Sequence, residues 1–490
     1  MKNTIYSVSK MASQHPERTA YKEYNYQISY QMLWHNSLCL YHNFKQSGCK
    51  QGEYIWINIQ RGDLFVSAVM AAYMCGIHSC LIADDILASK PKEAGMEVSP
   101  DCLLNDDIIV EDYHKLAKET NPSLVISDCD VFSFCINGVQ HQNISSVVDG
   151  KAEPEPIQLD LPPEYEDGKL IFFTSATTSN SKAVISTYGQ FNFSELDMNN
   201  AFSNLNGITR TGYIKPFFSG EMSTLQEGGT IFFFDIKDDE QLIRISNDTL
   251  HIDHLLTNLF GLKRFNEIHN KHNLAFTSIE AVTITGGAMH RLSKIKAEET
   301  FPNAVITDMY GQTELGAISS IDSTEWYEDP YCVGYPSFFN RVQIMSKGET
   351  VPDGSIGDIC VSSRFAYEGY IGQAVRNTPY VITGDIGYIK QGKLYYLGRR
   401  SEMINLDSKW YFVRQLEALL VETCPKNDVA VFAKDNFFYV YVASSDDDIL
   451  VRMQDAISGL DTSLTDFCQI ISVEKIEYSK NQKPILPTEA

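Results

Sequence analysis

The sequence predicts an α/β protein: a large N-terminal domain of layered sheets and helices, followed by a small α+β domain. Three observations carry this. Apolar runs of strand length alternate with segments of helical period as far as Gly398, the pattern of sheets covered by helices. Beyond Gly398 the pattern changes to a compact set of short strands and two helices. At 490 residues the chain is also too long for one hydrophobic core, since single cores stop growing at about 250–300 residues.

Taken in order, residues 28–48 place apolar side chains at helical spacing, and Gly48 and Gly52 then open Tyr54-Ile55-Trp56-Ile57-Asn58-Ile59 as a strand. Residues 61–74 read as a helix again. Residues 69–83 are the longest apolar stretch, but Gly76, His78 and Ser79 interrupt it, so it reads as a buried helix entering a strand rather than a membrane span. Residues 84–112 are rich in Asp and Glu and weakly periodic, which predicts a surface excursion. Strands follow at Ser123-Leu124-Val125-Ile126, Leu170-Ile171-Phe172-Phe173, Thr230-Ile231-Phe232-Phe233-Phe234, Ala281-Val282-Thr283-Ile284 and Ala304-Val305-Ile306. Residues 251–265 are apolar at helical spacing. After Gly398 the expectation is a helix over 410–423, strands over 429–432 and 437–442, a helix from Asp448 and a strand over 470–473. The domain boundary is placed at 399/400, where Gly398-Arg399-Arg400-Ser401-Glu402 offers no Pro/Gly-rich spacer. There is no internal repeat.

Composition narrows the function. Lys and Arg number 40 against 63 Asp and Glu, a formal charge of −23, which disfavours nucleic acid and anionic membranes as partners. The 11 cysteines are odd in number and scattered, without metal spacing, and read as reduced, mostly buried thiols. The N-terminus has no apolar signal core, so a cytoplasmic location without a membrane span is expected.

The most informative segment is Phe173-Thr174-Ser175-Ala176-Thr177-Thr178-Ser179-Asn180-Ser181-Lys182, which sets a series of hydroxyls ahead of one lysine at the end of a strand. Hydroxyls and backbone N–H groups there can surround phosphate oxygens while Lys182 supplies a compact positive charge. A solvated Ser/Thr-rich turn accounts for the same residues equally well. Three further stretches need a common explanation: Tyr310-Gly311-Gln312-Thr313-Glu314, Thr383-Gly384-Asp385, and Gly398-Arg399 followed by Ile404 and Glu417.

In order and spacing these stretches resemble the adenylate-forming superfamily: acyl-CoA synthetases, stand-alone acyl carrier protein ligases, nonribosomal peptide adenylation domains and beetle luciferases. The resemblance runs from Gly52 through Val333-Gly334-Tyr335-Pro336, Gly357-Asp358-Ile359-Cys360-Val361 and Glu368-Gly369-Tyr370 to Asn481-Gln482-Lys483. It implies that Thr174, Ser175, Thr177, Thr178 and Lys182 line a phosphate loop for ATP, and that Gly286, Gly287 and Ala288 let the backbone approach the nucleotide. It implies further that Tyr310 lies against adenine, with Asp308 and Gly311 in the nucleotide-binding set. Thr313 would contact the α-phosphate and Glu314 would hold Mg²⁺. Asp385 would accept both ribose hydroxyls, with Arg399 beside it. Lys483 would be the catalytic lysine, with Lys480 as a nearby rival. The small C-terminal domain, 400–490, would be mobile, turning about a hinge near Ser401. The implied reaction joins a carboxylic acid to AMP and passes the acyl group to a phosphopantetheine thiol. That thiol would belong to coenzyme A or to a carrier protein in trans, because the chain runs only seven residues beyond Lys483.

Several positions depart from the superfamily pattern. Ala176, Ser179 and Ala183 stand where it has glycine, Ser181 where it has proline and Tyr188 where it has histidine; Asn405 and Ser408 replace a common lysine and glycine. A residue forced to positive φ costs on the order of 1 kcal/mol, so slower or weaker ATP handling is expected. Ala176→Gly should then improve the apparent affinity for ATP in a pyrophosphate exchange assay. For the acid, two aromatic residues, Phe217 and Phe218, stand where amino-acid-activating members carry an aspartate. Either they face an aryl or modest acyl acid without an α-amino group, or they belong to the core. Glu221 offers an alternative receptor for an amine. The basic residues Lys390, Lys393, Arg399, Arg400, Lys409 and Arg414 could receive an acidic carrier or a phosphopantetheine phosphate, or form a solvated face. Two other functions remain open at this point, amino acid adenylation and nucleotide binding with little turnover.

Overall fold

The computed structural model describes residues 3–23, 26–59, 61–82, 116–128, 139–149, 153–159, 161–173, 182–190, 210–214, 220–247, 250–287, 289–326, 329–406, 409–478 and 484–485. The chain divides into two compact units. One comprises Met1–Leu256, Thr313–Gly316 and Arg364–Asn377, and the other Thr257–Gln312, Ala317–Ser363 and Thr378–Ala490.

In the first unit a seven-stranded sheet runs in the order Gly369–Tyr370, Ala183–Thr187, Lys169–Phe173, His78–Leu81, Tyr54–Asn58, Leu124–Ser127, Gln140–Asn143. The strands from Lys169–Phe173 onward pair in parallel, as expected of apolar strands joined by helical crossovers, and the first two pairings are antiparallel. The helix Gly62–Met74 carries buried residues along nearly its whole length, so it is apolar all round because it is enclosed. The helix Tyr30–Gln46 starts where the Ser29 hydroxyl accepts from the Met32 N–H at 3.2 Å. A second run of strands, His254–Asn258, Arg210–Ile214, Thr230–Phe234 and Thr19–Glu23, is parallel, and Tyr26–Ser29 closes it antiparallel.

The second unit pairs Ala281–Thr285 in parallel with Val305–Gln312. It then builds an antiparallel meander in which Lys393–Arg399 lies between Val381–Lys390 and Cys332–Pro336, with Gly357–Ser363 and Asn340–Ser346 beyond. After residue 402 come a hairpin of Met403–Leu406 with Lys409–Phe412, the helix Val413–Thr423, the strands Val429–Lys434 and Phe437–Ala443, the helix Asp447–Leu460, and Cys468–Val473 parallel to Phe437–Ala443. These elements share a core that includes Ile404, Leu416, Leu420, Phe438, Val440 and Met453.

The architecture is the α/β fold with a small C-terminal α+β lobe that the alternation predicts, and the named strands fall within a few residues of expectation. Two helices were drawn too long. Lys409–Phe412 is a strand because Trp410, Tyr411 and Phe412 are strand formers paired against Met403–Leu406. His254–Asn258 is likewise a strand, aligned with Arg210–Ile214, and the helix begins at Leu259 under the Asn258 cap. The surface excursion expected over 84–112 lies outside the described residues. Cys39, Cys75, Cys80, Cys332, Cys360, Cys424 and Cys468 are buried free thiols.

Candidate active site

In the second unit, three implied nucleotide residues meet around one carboxylate. Asp385 is 2% exposed, and its Oδ2 accepts from the Tyr310 hydroxyl at 2.5 Å and from Gln312 Nε2 at 2.8 Å. The antiparallel register sets Arg399 directly opposite Asp385, with Arg399 Nε 3.4 Å from Oδ1 and the arginine side chain half exposed. Gly384, at φ +77°, turns the strand just before the carboxylate, and the Thr383 hydroxyl accepts the Asp385 N–H at 3.1 Å. Gln312 also donates to Thr383 O at 3.0 Å, which ties the end of Val305–Gln312 to Val381–Lys390. The Tyr310 ring stacks on Tyr396 at 5.3 Å, 25° from parallel. Burial and then the Asp385 charge hold the Tyr310 phenol well above its usual range, so it stays a donor. The cluster is therefore an anion walled by aromatic faces, chemistry suited to a diol beside a planar base.

Gly286 and Gly287 follow the strand Ala281–Thr285 in this unit. Gly286 has φ +82°, and a Cβ on Gly287 would come within 2.6 Å of Leu259 Cδ1. Asp308 is buried; burial pushes its carboxyl up to about 6, against the pull of Lys294 and Arg414. Gly311 sits half-buried in Val305–Gln312, and Ser401 is exposed in the turn Arg400–Glu402.

In the first unit Glu314 and Lys182 share a partner. Glu314 Oε1 accepts from the Tyr370 hydroxyl at 2.9 Å, and Lys182 Nζ stands 5.0 Å from the centroid of the Tyr370 ring. Gly369–Tyr370 is held in place by pairing with Ala183–Thr187 and by Glu368 N–H donating to Ile185 O at 2.8 Å. The Tyr367 N–H donates to Glu314 O, also at 2.8 Å. Burial and then Glu314 raise the Tyr370 phenol above its usual range. Thr313 is exposed. Glu221, 2% exposed, opens the short helix Glu221–Gln226 after Gly220 at φ +100°.

Thr174, Ser175, Thr177, Thr178, Phe217, Phe218, Ala288 and Lys483 lie outside the described residues, as do Ala176, Ser179, Ser181 and Ser408. Of the departures that are described, Tyr188 is a core residue. It stacks on Tyr73 at 4.6 Å, and its hydroxyl lies 2.8 Å from the Ser79 hydroxyl and donates to Ile77 O at 3.0 Å. The ring also occupies the space over Gly168, where a Cβ would stand 2.7 Å from it.

Most of the basic run does not stay a solvated face. Arg400 donates to Asp358, Lys409 pairs with Asp461 at 2.6 Å, Lys393 with Glu325 at 2.8 Å, Arg399 with Asp385, and Arg414 is buried. Sequence reasoning passed over Gln312, Tyr370, Tyr396 and Arg414 as functional residues. Gln312 and Tyr370 lay inside quoted motifs, whereas Tyr396 and Arg414 carried no spacing signal.

A family model for AMP-binding enzymes matches residues 8–371, and the chain belongs to that family, within the adenylate-forming superfamily. Among curated relatives it is similar to the uncharacterized acyl-CoA ligase YhfT of Bacillus subtilis (strain 168), 26% identical over 298 residues, 59% of each chain. It is also similar to the D-alanine–D-alanyl carrier protein ligase of Bacillus cereus (strain G9842), 35% identical over 125 residues, 23% of this chain and 25% of that one. The aligned parts thus span 59% and 25% of the lengths of those two relatives. Among solved structures, O-succinylbenzoate coenzyme A synthetase (MenE) from Bacillus subtilis, in complex with ATP and magnesium ion, superposes with a TM-score of 0.73 at 18% identity, covering 97% of both chains. That likeness establishes the shared fold.

Proposed function

We propose that this chain is an ATP-dependent acid–thiol ligase: it joins a carboxylic acid to AMP and then passes the acyl group to a phosphopantetheine thiol, releasing AMP. The observation that carries the reading is the buried Asp385 carboxylate, ringed by Tyr310, Gln312 and Arg399. Asp385 takes the ribose hydroxyls, Tyr310 packs on adenine, Arg399 balances the carboxylate, and Gly286, Gly287 and Ala288 admit the backbone close to the nucleotide. Asp308 and Gly311 support that wall from Val305–Gln312.

Both reactants are anions, so cations must hold the acid in line with the α-phosphate. Lys483 balances the attacking carboxylate and the charge developing on phosphorus, while Thr313 orients the α-phosphate. Lys182 and the hydroxyls of Thr174, Ser175, Thr177 and Thr178 take the departing pyrophosphate. Glu314 fits a magnesium site: one carboxylate oxygen is engaged by Tyr370, and among the described residues no hydrogen bond reaches the other. Among the described residues no group of three or more His, Cys, Asp or Glu could hold a metal, which agrees with Mg²⁺ held by one or two carboxylates and substrate phosphates. When bound, the ion neutralises phosphate oxygens.

The lobe after residue 399 has its own core, which supports a domain, 400–490, turning near Ser401 between the half-reactions. The acid is an aryl or modest acyl acid facing Phe217 and Phe218, and the acceptor is a carrier protein in trans or coenzyme A. A second reading, an amino acid as substrate, is favoured by the similarity to a D-alanine ligase and by the buried carboxylate of Glu221. Among the described residues no helix is long and apolar enough to cross a membrane. ATP–pyrophosphate exchange against panels of carboxylic and amino acids separates the readings. Exchange with an acid lacking an α-amino group supports the first, exchange with amino acids alone supports the second, and no exchange with either rejects both.

A further inference from the structure

Arg414 occupies the first turn of the helix Val413–Thr423, whose Leu416 and Leu420 belong to the core of the C-terminal lobe. Its guanidinium leaves that core. Nη2 donates to Pro330 O at 2.7 Å, Nη1 donates to Tyr396 O, and the guanidinium carbon stands 5.2 Å from the Tyr396 ring and 5.3 Å from the Tyr331 ring. The residue is 7% exposed. Removing a guanidinium from water costs several kcal/mol, and the compensation here is directional: two carbonyls that match a planar fork and two aromatic faces. The field of Asp308 adds to it. Lysine, a single ammonium, cannot reproduce that fork.

What the fork grips is the back of the nucleoside wall. Tyr396 lies in Lys393–Arg399, stacks on Tyr310, and stands three residues before Arg399. Tyr310 and Arg399 both meet Asp385.

We propose that Arg414 is a positioning residue: it pins the helix Val413–Thr423 to the Pro330–Tyr331 segment and to Lys393–Arg399, and so sets the Tyr396–Tyr310–Asp385 stack that receives the nucleoside. This rests on the nucleoside role given to that stack above. It makes the placement of the C-terminal helix and the order of the adenine wall a single linked event, because the same two carbonyls and two rings serve both.

The test uses the full-length chain with Arg414→Met, which keeps apolar bulk, and Arg414→Lys, which keeps charge. Without ligand, hydrogen exchange over residues 393–399 and 305–312 should rise by about tenfold or more in Arg414→Met, while Tyr54–Asn58 exchanges as in the wild type. ATP affinity by calorimetry should fall by about tenfold in Arg414→Met and less in Arg414→Lys. In pyrophosphate exchange, KM for ATP should rise while KM for the acid stays within about twofold. Combined with Tyr310→Phe, the loss of ATP affinity should be smaller than the product of the single losses, since both act on one stack. Unchanged exchange at 393–399 together with wild-type ATP affinity overturns the proposal, as does a uniform loss of kcat with both KM values unmoved. Should Arg414→Met fail to fold, Arg414→Lys carries the same comparison. If the wild-type chain binds no ATP, the nucleoside reading fails and the ligand-free exchange measurement still decides whether Arg414 orders the strand.

Discussion

Replacing Asp385 by asparagine changes one atom and removes one charge from the centre of the nucleoside cluster. In the native chain Oδ2 already accepts from Tyr310 and Gln312, and Oδ1 faces the guanidinium of Arg399 across the strand pair. An asparagine that keeps its oxygen toward Tyr310 and Gln312 must turn its NH₂ toward Arg399, donor against donor. Hydrogen bonds to a charged acceptor are worth roughly 1.5–3 kcal/mol and neutral ones about 0.5–1.5, so losing the charge from two ribose contacts costs about 2–3 kcal/mol. That corresponds to a rise in the dissociation constant for AMP or ATP of about 30- to 150-fold. Titration calorimetry with AMP measures this directly and needs no knowledge of the acid. Far-ultraviolet circular dichroism and the urea midpoint of the variant should stay near those of the wild type, because the fold contacts made through oxygen survive. Nucleotide affinity within about threefold of the wild type, in a variant that is folded, would refute the assignment of Asp385.

Two further predictions concern stability. Gly334→Ala should cost about 4 kcal/mol or more or prevent folding, because the new Cβ would fall 1.7 Å from Ser320 O at φ +82°, a backbone clash that no rotamer relieves. Gly354→Ala, at φ +81° but with nothing within 4 Å, should cost only about 1 kcal/mol, so urea midpoints of the pair separate collision from conformational strain. Acid sensitivity follows from His254, which is fully buried and whose imidazole burial lowers from 6.5 to about 3. Between those values the unfolded chain binds the extra proton, so stability present above pH 6.5 is lost as pH falls, by just over 1 kcal/mol per pH unit for this group. Asp308 and Glu417, raised by burial to about 6 and about 7, act with the opposite sign over their own windows. His254→Gln should therefore flatten the acid limb of wild-type stability measured by urea unfolding between pH 6.5 and 4.

Local pattern carried much of the fold because apolar strand runs such as Thr230–Phe234 and Leu124–Ser127 have few alternatives to a buried sheet. It misassigned residues 410–412 and 254–258, where aromatic and apolar residues suit either period and the pairing partner decides. The site was legible as separate motifs, while its geometry was not. Tyr310 and Asp385 are 75 positions apart, and the pairing of Asp385 with Arg399 depends on a register shift between Ile386 and Gly387 that spacing does not reveal. Arg414 was read as part of a basic run. Only the three-dimensional placement of Pro330, Tyr331 and Tyr396 turns it inward.

The central claim is that an ammonium group at position 483 brings an acid and ATP together. ATP–pyrophosphate exchange with Lys483→Ala, run on the acid that the wild-type chain turns over fastest, tests it most directly. The account predicts that exchange falls by about 100-fold or more while AMP affinity stays within about threefold of the wild type. Exchange that persists at the wild-type rate in that variant contradicts it.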